Sequence, residues 1–145
     1  MSEYIPNPMD WVANQVERYE SSGGTQGLTL RETGLPCIIV TNTGWKTGAI
    51  RKTPLMRVVD GDNYILEASW AGAPNHPLWY HNIKAEPNVE IRDETKVFSA
   101  RVTEVMDAVE RQRLWDIAVA AYDRYQEYQD KTNRMIPVFV AEPTG

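Results

Sequence analysis

The sequence predicts a mainly β, α+β domain in which six short antiparallel strands are flanked by helices. Three observations carry this reading. Segments rich in β-branched and aromatic residues alternate with glycine or acidic turn words, and helical periodicity is confined to a few stretches between them. A chain of 145 residues with 42% hydrophobic content also supplies one core and leaves no room for a second.

Asn7 caps a helix that opens with Pro8 and places Met9, Val12, Val16 and Tyr19 on one face. The helix ends by the word SSGG. The stretch SSGGTQG reads as a hinge, so residues 1–22 are expected to form a mobile N-terminal helix on a single domain spanning 1–145. Strands follow at 36–43 (PCIIVTNT), 49–59 (AIRKTPLMRVV) and 63–69 (NYILEAS), the last two joined as a hairpin by DGDN. After the loop WAGAPNHP, a short helix LWYHNIKAE stops at Pro87. VEIRD and KVFSARVTEV then make a hairpin across DET. Asp107 with Glu110 is a capping box for a helix whose stripe is Val109, Leu114, Ile117, Ala118 and Ala121. An aromatic helical turn, YQEYQDKT, leads to IPVFVAEP, a sixth strand apolar enough to be central.

Several function classes are excluded by composition. The formal charge of −5 argues against nucleic acid, which demands a broad basic face. The single cysteine, Cys37, lies in the apolar run CIIV and reads as a buried reduced thiol. The start MSEYIPNPMD lacks signal-peptide character and no apolar run reaches the roughly 20 residues of a spanning helix, which predicts a cytoplasmic protein with at most a peripheral membrane contact through the N-terminal helix. Two histidines and one cysteine, without HExxH or CxxC, predict no metal site. GxSxG, GxGxxG and Walker words are also missing.

Three clusters remain. In TNTGWKTGAIRKTP (41–54), Gly44 and Gly48 flank Lys46, and Arg51 follows. Positive-φ glycines let backbone N–H groups turn inward as an anion nest, which Lys46 and Arg51 complete; an ordinary solvated turn fits the same residues. WAGAPNHPLWY (70–80) crowds aromatics into a loop that either covers a ligand or caps the barrel end. Tyr122, Tyr125 and Tyr128 fall on one side of a helical turn, as a polar-aromatic pocket wall or as core.

From about Pro36 to Pro143 these words, in order, resemble the deazaflavin-dependent nitroreductase family of actinobacteria. The resemblance implies a split β-barrel and hydride transfer from reduced coenzyme F-420 to an activated alkene, enone, quinone or nitro acceptor. The family's pattern carries onto Thr43, Gly44, Lys46, Thr47, Gly48 and Arg51, which implies that Lys46 and Arg51 hold the coenzyme phosphate, with Trp45 also in the coenzyme set. Thr53, Pro54, Leu55 and Met56, with Ala68 and Ser69, are implied beside the deazaflavin ring. Trp70, Ala71, Gly72, His76, Pro77, Trp79 and Tyr80 complete the implied coenzyme set, His76 standing where the family has Asn. Met56, Tyr122, Tyr125 and Tyr128 are implied at the acceptor, with Ser69, Tyr125, Tyr128 or water as the proton source. Trp45 and Trp70 replace basic residues common in the family. FMN is the alternative coenzyme, and a non-catalytic carrier of deazaflavin, haem or lipid is the alternative class. The resemblance leaves monomer and homodimer open.

Overall fold

In the computed structural model of the chain, residues 3–30 and 33–144 are described, so residues 1 and 2 of the expected N-terminal helical segment lie outside the described residues. Seven strands form one antiparallel sheet: β1 (Cys37–Thr43), β2 (Ile50–Met56), β3 (Val59–Asp60), β4 (Asn63–Glu67), β5 (Asn88–Asp93), β6 (Lys96–Glu104) and β7 (Val138–Pro143). Their order across the sheet is β2-β1-β5-β6-β7-β4-β3.

The strand expected over 49–59 is two strands. Met56 is the last residue to pair with β1, opposite Cys37, and Val59 begins pairing with Tyr64 of β4. β2 and β3 therefore stand at opposite ends of the sheet although only Arg57 and Val58 separate them. Three residue steps reach about 10 Å at most, so the two edges must be drawn together and the sheet curls into a barrel. The expected hairpin around DGDN shrinks to the two pairs of β3 and β4 for the same reason.

Alternation of side chains fixes what faces where. Ile38, Val40, Leu66, Ile91, Val102 and Phe139 fill the barrel interior. Trp79 and Ile83 of α2 (Leu78–Ala85) join them, so this helix plugs the barrel and stops before Pro87 as its sequence predicts. Cys37 and Ile39 point outward and are covered by α1 (Asp10–Ser21). Ile65 and Val138 point outward on the other side, under α3 (Ala108–Ala121) and α4 (Arg124–Lys131). Asp107 caps α3 by accepting from the Glu110 N–H at 2.9 Å. The α3 stripe is narrower than its sequence suggests. Val109 is 81% exposed and Ala121 is exposed, because apolar contact with the sheet begins only at Leu114 and continues at Ala118.

Helix α1 starts two residues later than Pro8, with Asn7 Oδ1 accepting from the Met9 N–H at 2.8 Å. It is docked on the barrel. Tyr19 is fully buried, donates to the Cys37 carbonyl at 3.1 Å and accepts from the Glu94 N–H at 2.7 Å. Glu20 pairs with Lys52 and with Arg92. The glycine-rich tether is likewise engaged. The Ser22 hydroxyl accepts from the N–H groups of Thr25 and Gln26, and a Cβ on Gly24 would fall 1.8 Å from the Glu94 carbonyl oxygen. The glycine thus permits a close approach as well as a turn. The apolar face of α1 is spent on β1, not left open to a membrane surface, and it lies on a different side of the barrel from Tyr122, Tyr125 and Tyr128.

A candidate coenzyme site at the barrel mouth

The β1–β2 turn is closed by the Gly44 N–H donating to the Ala49 carbonyl at 2.7 Å and the Gly48 N–H to the Gly44 carbonyl at 2.8 Å. Gly48 takes φ +74°, and the Thr47 hydroxyl accepts from the Ala49 N–H. The amides of Lys46 and Thr47 make no hydrogen bond to another described residue. One side of the turn is pinned from α2. Asn82 accepts from the Trp45 N–H at 3.0 Å and donates to Asn42 Oδ1 at 2.8 Å, with both asparagines buried.

Arg51 lies opposite Asn42 in the β1–β2 register, on the same inward face as Thr53 and Leu55, which lie opposite Val40 and Ile38. Pro54 and Met56 point the other way, and Met56 joins the core under α3. The four residues expected beside the ring therefore divide between two faces. Lys46 is exposed, its Nζ 5.1 Å from the centre of the half-exposed Trp45 ring. Among the described residues neither Lys46 nor Arg51 pairs with a carboxylate, whereas Lys52 and Arg92 are both committed to Glu20. Two cations and two amides without a partner among the described residues, in a chain of charge −5, are the donors that could hold a coenzyme phosphate.

A second wall is the loop after β4. Ser69 is buried, Ala68 faces the interior, and Trp70–Gly72 makes a single 3-10 turn. Trp70, Ala71 and Gly72 all have positive φ, at 43°, 53° and 76°. A Cβ on Gly72 would lie 2.7 Å from the Tyr128 carbonyl oxygen, so this position admits only glycine without a shift of α4. Arg134 holds the loop by donating to the carbonyls of Ala68 (3.0 Å), Ser69 (2.7 Å) and Ala73 (2.8 Å), and it bonds His76 Nδ1 at 3.1 Å. Burial lowers the His76 pKa, and the charges of Arg134 and His81 lower it further. His76 stacks on Tyr80 at 4.2 Å, Tyr80 meets His81 edge-on at 5.2 Å, and His81 meets Trp45 at 5.9 Å. This row of rings joins the loop to the β1–β2 turn. Pro77 is buried, and Trp79 packs inside the barrel 5.7 Å from Phe139, so in this structure they hold the plug in place.

The three tyrosines do come together. The hydroxyls of Tyr122 and Tyr128 bond each other at 2.9 Å, and their rings meet Tyr125 edge-on. Burial, then the Tyr122 hydrogen bond, pushes the Tyr128 phenol up to about 12. Tyr125 is different: it is 5% exposed, lies against Trp115 in the core under α3, and burial raises its pKa well above the ordinary phenol. Beneath the same helices sits Glu67, 5% exposed, with no hydrogen-bond partner for either carboxyl oxygen among the described residues. Burial raises its pKa well above the ordinary carboxyl, against the opposing charge of Arg111.

Asn82, Arg134 and Glu67 are not among the residues singled out from sequence. Glu67 was visible as a lone acid in the apolar strand NYILEA, and Asn82 as an amide on the face of α2 that buries Trp79 and Ile83. Arg134 carried no local signal, since its partners lie about 60 residues away.

Residues 11–143 match the F420H(2)-dependent quinone reductase family. The chain belongs to that family. An F420H(2)-dependent quinone reductase of Mycobacterium tuberculosis is 41% identical over 107 residues, 72% of either chain. The solved structure of an F420-H2 dependent reductase, FDR-A, superposes with a TM-score of 0.69 at 45% identity, covering 74% of this chain and 94% of that one. A further structure, described as a domain-swapped dimer, matches with a TM-score of 0.71 at 43% identity over 94% of this chain and all of that one. The haem storage protein HutZ of Vibrio cholerae, at 13% identity and a TM-score of 0.58, shares the fold. Quinone reductase family membership makes this chain an oxidoreductase with coenzyme F-420 as its coenzyme; FMN is not required, and the split barrel implied by resemblance stands. No helix among the described residues is long and apolar enough to cross a membrane.

Proposed function

We propose that the barrel mouth binds reduced coenzyme F-420 and that the chain uses it to reduce a quinone. The observation that supports this most is the turn at Gly44–Gly48, where Lys46, Arg51 and two backbone amides are uncommitted and Asn82 fixes their geometry. Lys46 and Arg51 hold the phosphate through charge-assisted hydrogen bonds. Thr53 and Leu55 on the inward face and Ala68–Gly72 on the facing loop shape the walls beside the ring, and the exposed Trp45 and Trp70 rings cover it from solvent.

Bound there, the coenzyme supplies a hydride. A quinone that has accepted a hydride is an anion and needs one proton to become the hydroquinone. We assign this proton to Tyr128, a reading supported by its half-buried hydroxyl and its bond to Tyr122, through which the proton is replaced from solvent. Tyr125 supports this pair by packing, and Met56 forms the floor beneath it. A homodimer is consistent with the domain-swapped relative, and sedimentation velocity distinguishes it from a monomer. Turnover of reduced coenzyme F-420 with a panel of quinones, enones and nitro compounds tests the function. Quinones should show the highest kcat/KM, and absence of turnover with every quinone refutes the proposal.

A further inference from the structure

The loop that forms one wall of the proposed coenzyme site is held in a conformation it would not hold alone. Trp70 and Ala71 are non-glycine residues at positive φ, followed at once by Gly72, also at positive φ. Left-handed conformations cost non-glycine residues free energy and persist only where surrounding contacts enforce them. The enforcing contacts come from one direction. Arg134 spends its guanidinium on three carbonyls at 2.7–3.0 Å, those of Ser69, Ala73 and Ala68, which flank the left-handed residues on both sides. Lys131 adds a longer contact to the Ala71 carbonyl at 3.4 Å, and the Tyr128 backbone packs on Gly72.

We propose that Arg134 is a positioning residue for coenzyme binding and that its bond to His76 makes this grip sensitive to pH. The proposal rests on the assignment of the barrel mouth as the coenzyme site. Arg134 has only donors, so the 3.1 Å bond requires His76 Nδ1 to be an acceptor, with any ring proton on Nε2. Protonating the ring puts an N–H against the guanidinium and brings two cations together. The groups that face His76 are Arg134 before β7, His81 and Tyr80 on α2, and Glu104 on β6, which is already paired with Lys84. Burial, Arg134 and His81 hold the His76 pKa below its ordinary value of 6.5, outweighing Glu104. The sign follows. A lowered histidine pKa favours the latched loop above the ordinary value, and the latch weakens as pH falls below it toward the lowered one.

Arginine also differs from lysine here. Only a planar fork reaches several carbonyls at once, so Arg134→Lys should restore part of the grip and Arg134→Ala none. His76→Asn keeps an acceptor oxygen for Arg134 but removes the titration. Adding Ala71→Gly relieves one left-handed residue, because glycine adopts positive φ without cost.

The test uses oxidised coenzyme F-420 titrated into the protein, alongside amide hydrogen exchange of residues 68–76 and NMR titration of His76, both without coenzyme. Arg134→Ala should weaken coenzyme binding at least tenfold, raise exchange of the 70–73 amides by a similar factor and return the His76 pKa toward 6.5. Arg134→Lys should recover part of the affinity, and Ala71→Gly in the Arg134→Ala background should recover part of it independently. The parent should lose several-fold more affinity between pH 7.5 and 5.5 than His76→Asn does. If Lys46→Ala weakens the coenzyme and Arg134→Ala does not, the positioning role is overturned and the site stands. If neither weakens it, the site assignment falls and this proposal with it. Should Arg134→Ala fail to fold, a His76→Asn protein with the parent's pH dependence overturns the latch.

Discussion

Glu67→Gln should make the stability of the protein less dependent on pH between 5.5 and 7.5, because Glu67 is a buried acid. Its carboxyl is 5% exposed, has no hydrogen-bond partner among the described residues and is pushed by burial well above its ordinary value of 4.5. The folded state therefore keeps the proton that the unfolded chain releases. Stability from this group is fully present below pH 4.5 and is lost as pH rises through the folded-state pKa. Within that window the loss is up to about 1.4 kcal/mol per pH unit, so from pH 5.5 to 7.5 it reaches at most about 2.7 kcal/mol. Glu67→Gln keeps the size and cannot titrate. Urea unfolding at pH 5.5, 6.5 and 7.5 should find the variant within about 1 kcal/mol of the parent at the lowest pH and gaining on it steadily above. All other titrating groups cancel in the difference. A difference that stays flat from pH 5.5 to 7.5 would refute the reasoning and mean that Glu67 is ionised and paired, with Arg111 as the partner nearest in charge.

Other perturbations separate the parts of the site. Asn82→Ala removes the acceptor for the Trp45 N–H and the donor to buried Asn42, so denaturant unfolding should show a loss of about 2 to 4 kcal/mol together with weaker coenzyme binding. Gly72→Ala drives a Cβ toward the Tyr128 carbonyl at positive φ and should cost about 1 to 3 kcal/mol in the same assay. Glu20→Ala leaves Lys52 and Arg92 without their carboxylate and should loosen α1, seen as faster proteolytic cleavage within residues 21–27; unchanged cleavage would show that Tyr19 and the apolar face dock the helix without the ion pairs.

Local signals in the sequence were sufficient for the elements whose cause is local. The Asp107–Glu110 capping box, the stop of α2 before Pro87 and the β5–β6 hairpin appear where the residues place them. The run CIIV reads as buried on both faces because one face lines the barrel and the other lies under α1. The split of 49–59 into two strands was not legible, since barrel closure sets it and no residue in AIRKTPLMRVV signals a break. The same limit governs the site. Gly44, Lys46, Gly48 and Arg51 lie within eight residues, and their spacing alone suggests an anion. Arg134 and the buried Asn42–Asn82 pair act across distant segments, and only the folded chain brings them to the residues they hold. Tyr125 shows the converse, because helical spacing groups three phenols but does not reveal which one the core swallows.

Fluorescence titration of oxidised coenzyme F-420 is the decisive test of the β1–β2 turn as its phosphate anchor. Lys46→Ala and Arg51→Ala should each weaken binding by about 1 to 3 kcal/mol, since each removes a charge-assisted hydrogen bond, with the double variant weaker than either. Neither side chain is paired with a carboxylate among the described residues, so folding stability should remain near the parent's. A double variant that folds and binds the coenzyme as tightly as the parent would contradict the assignment.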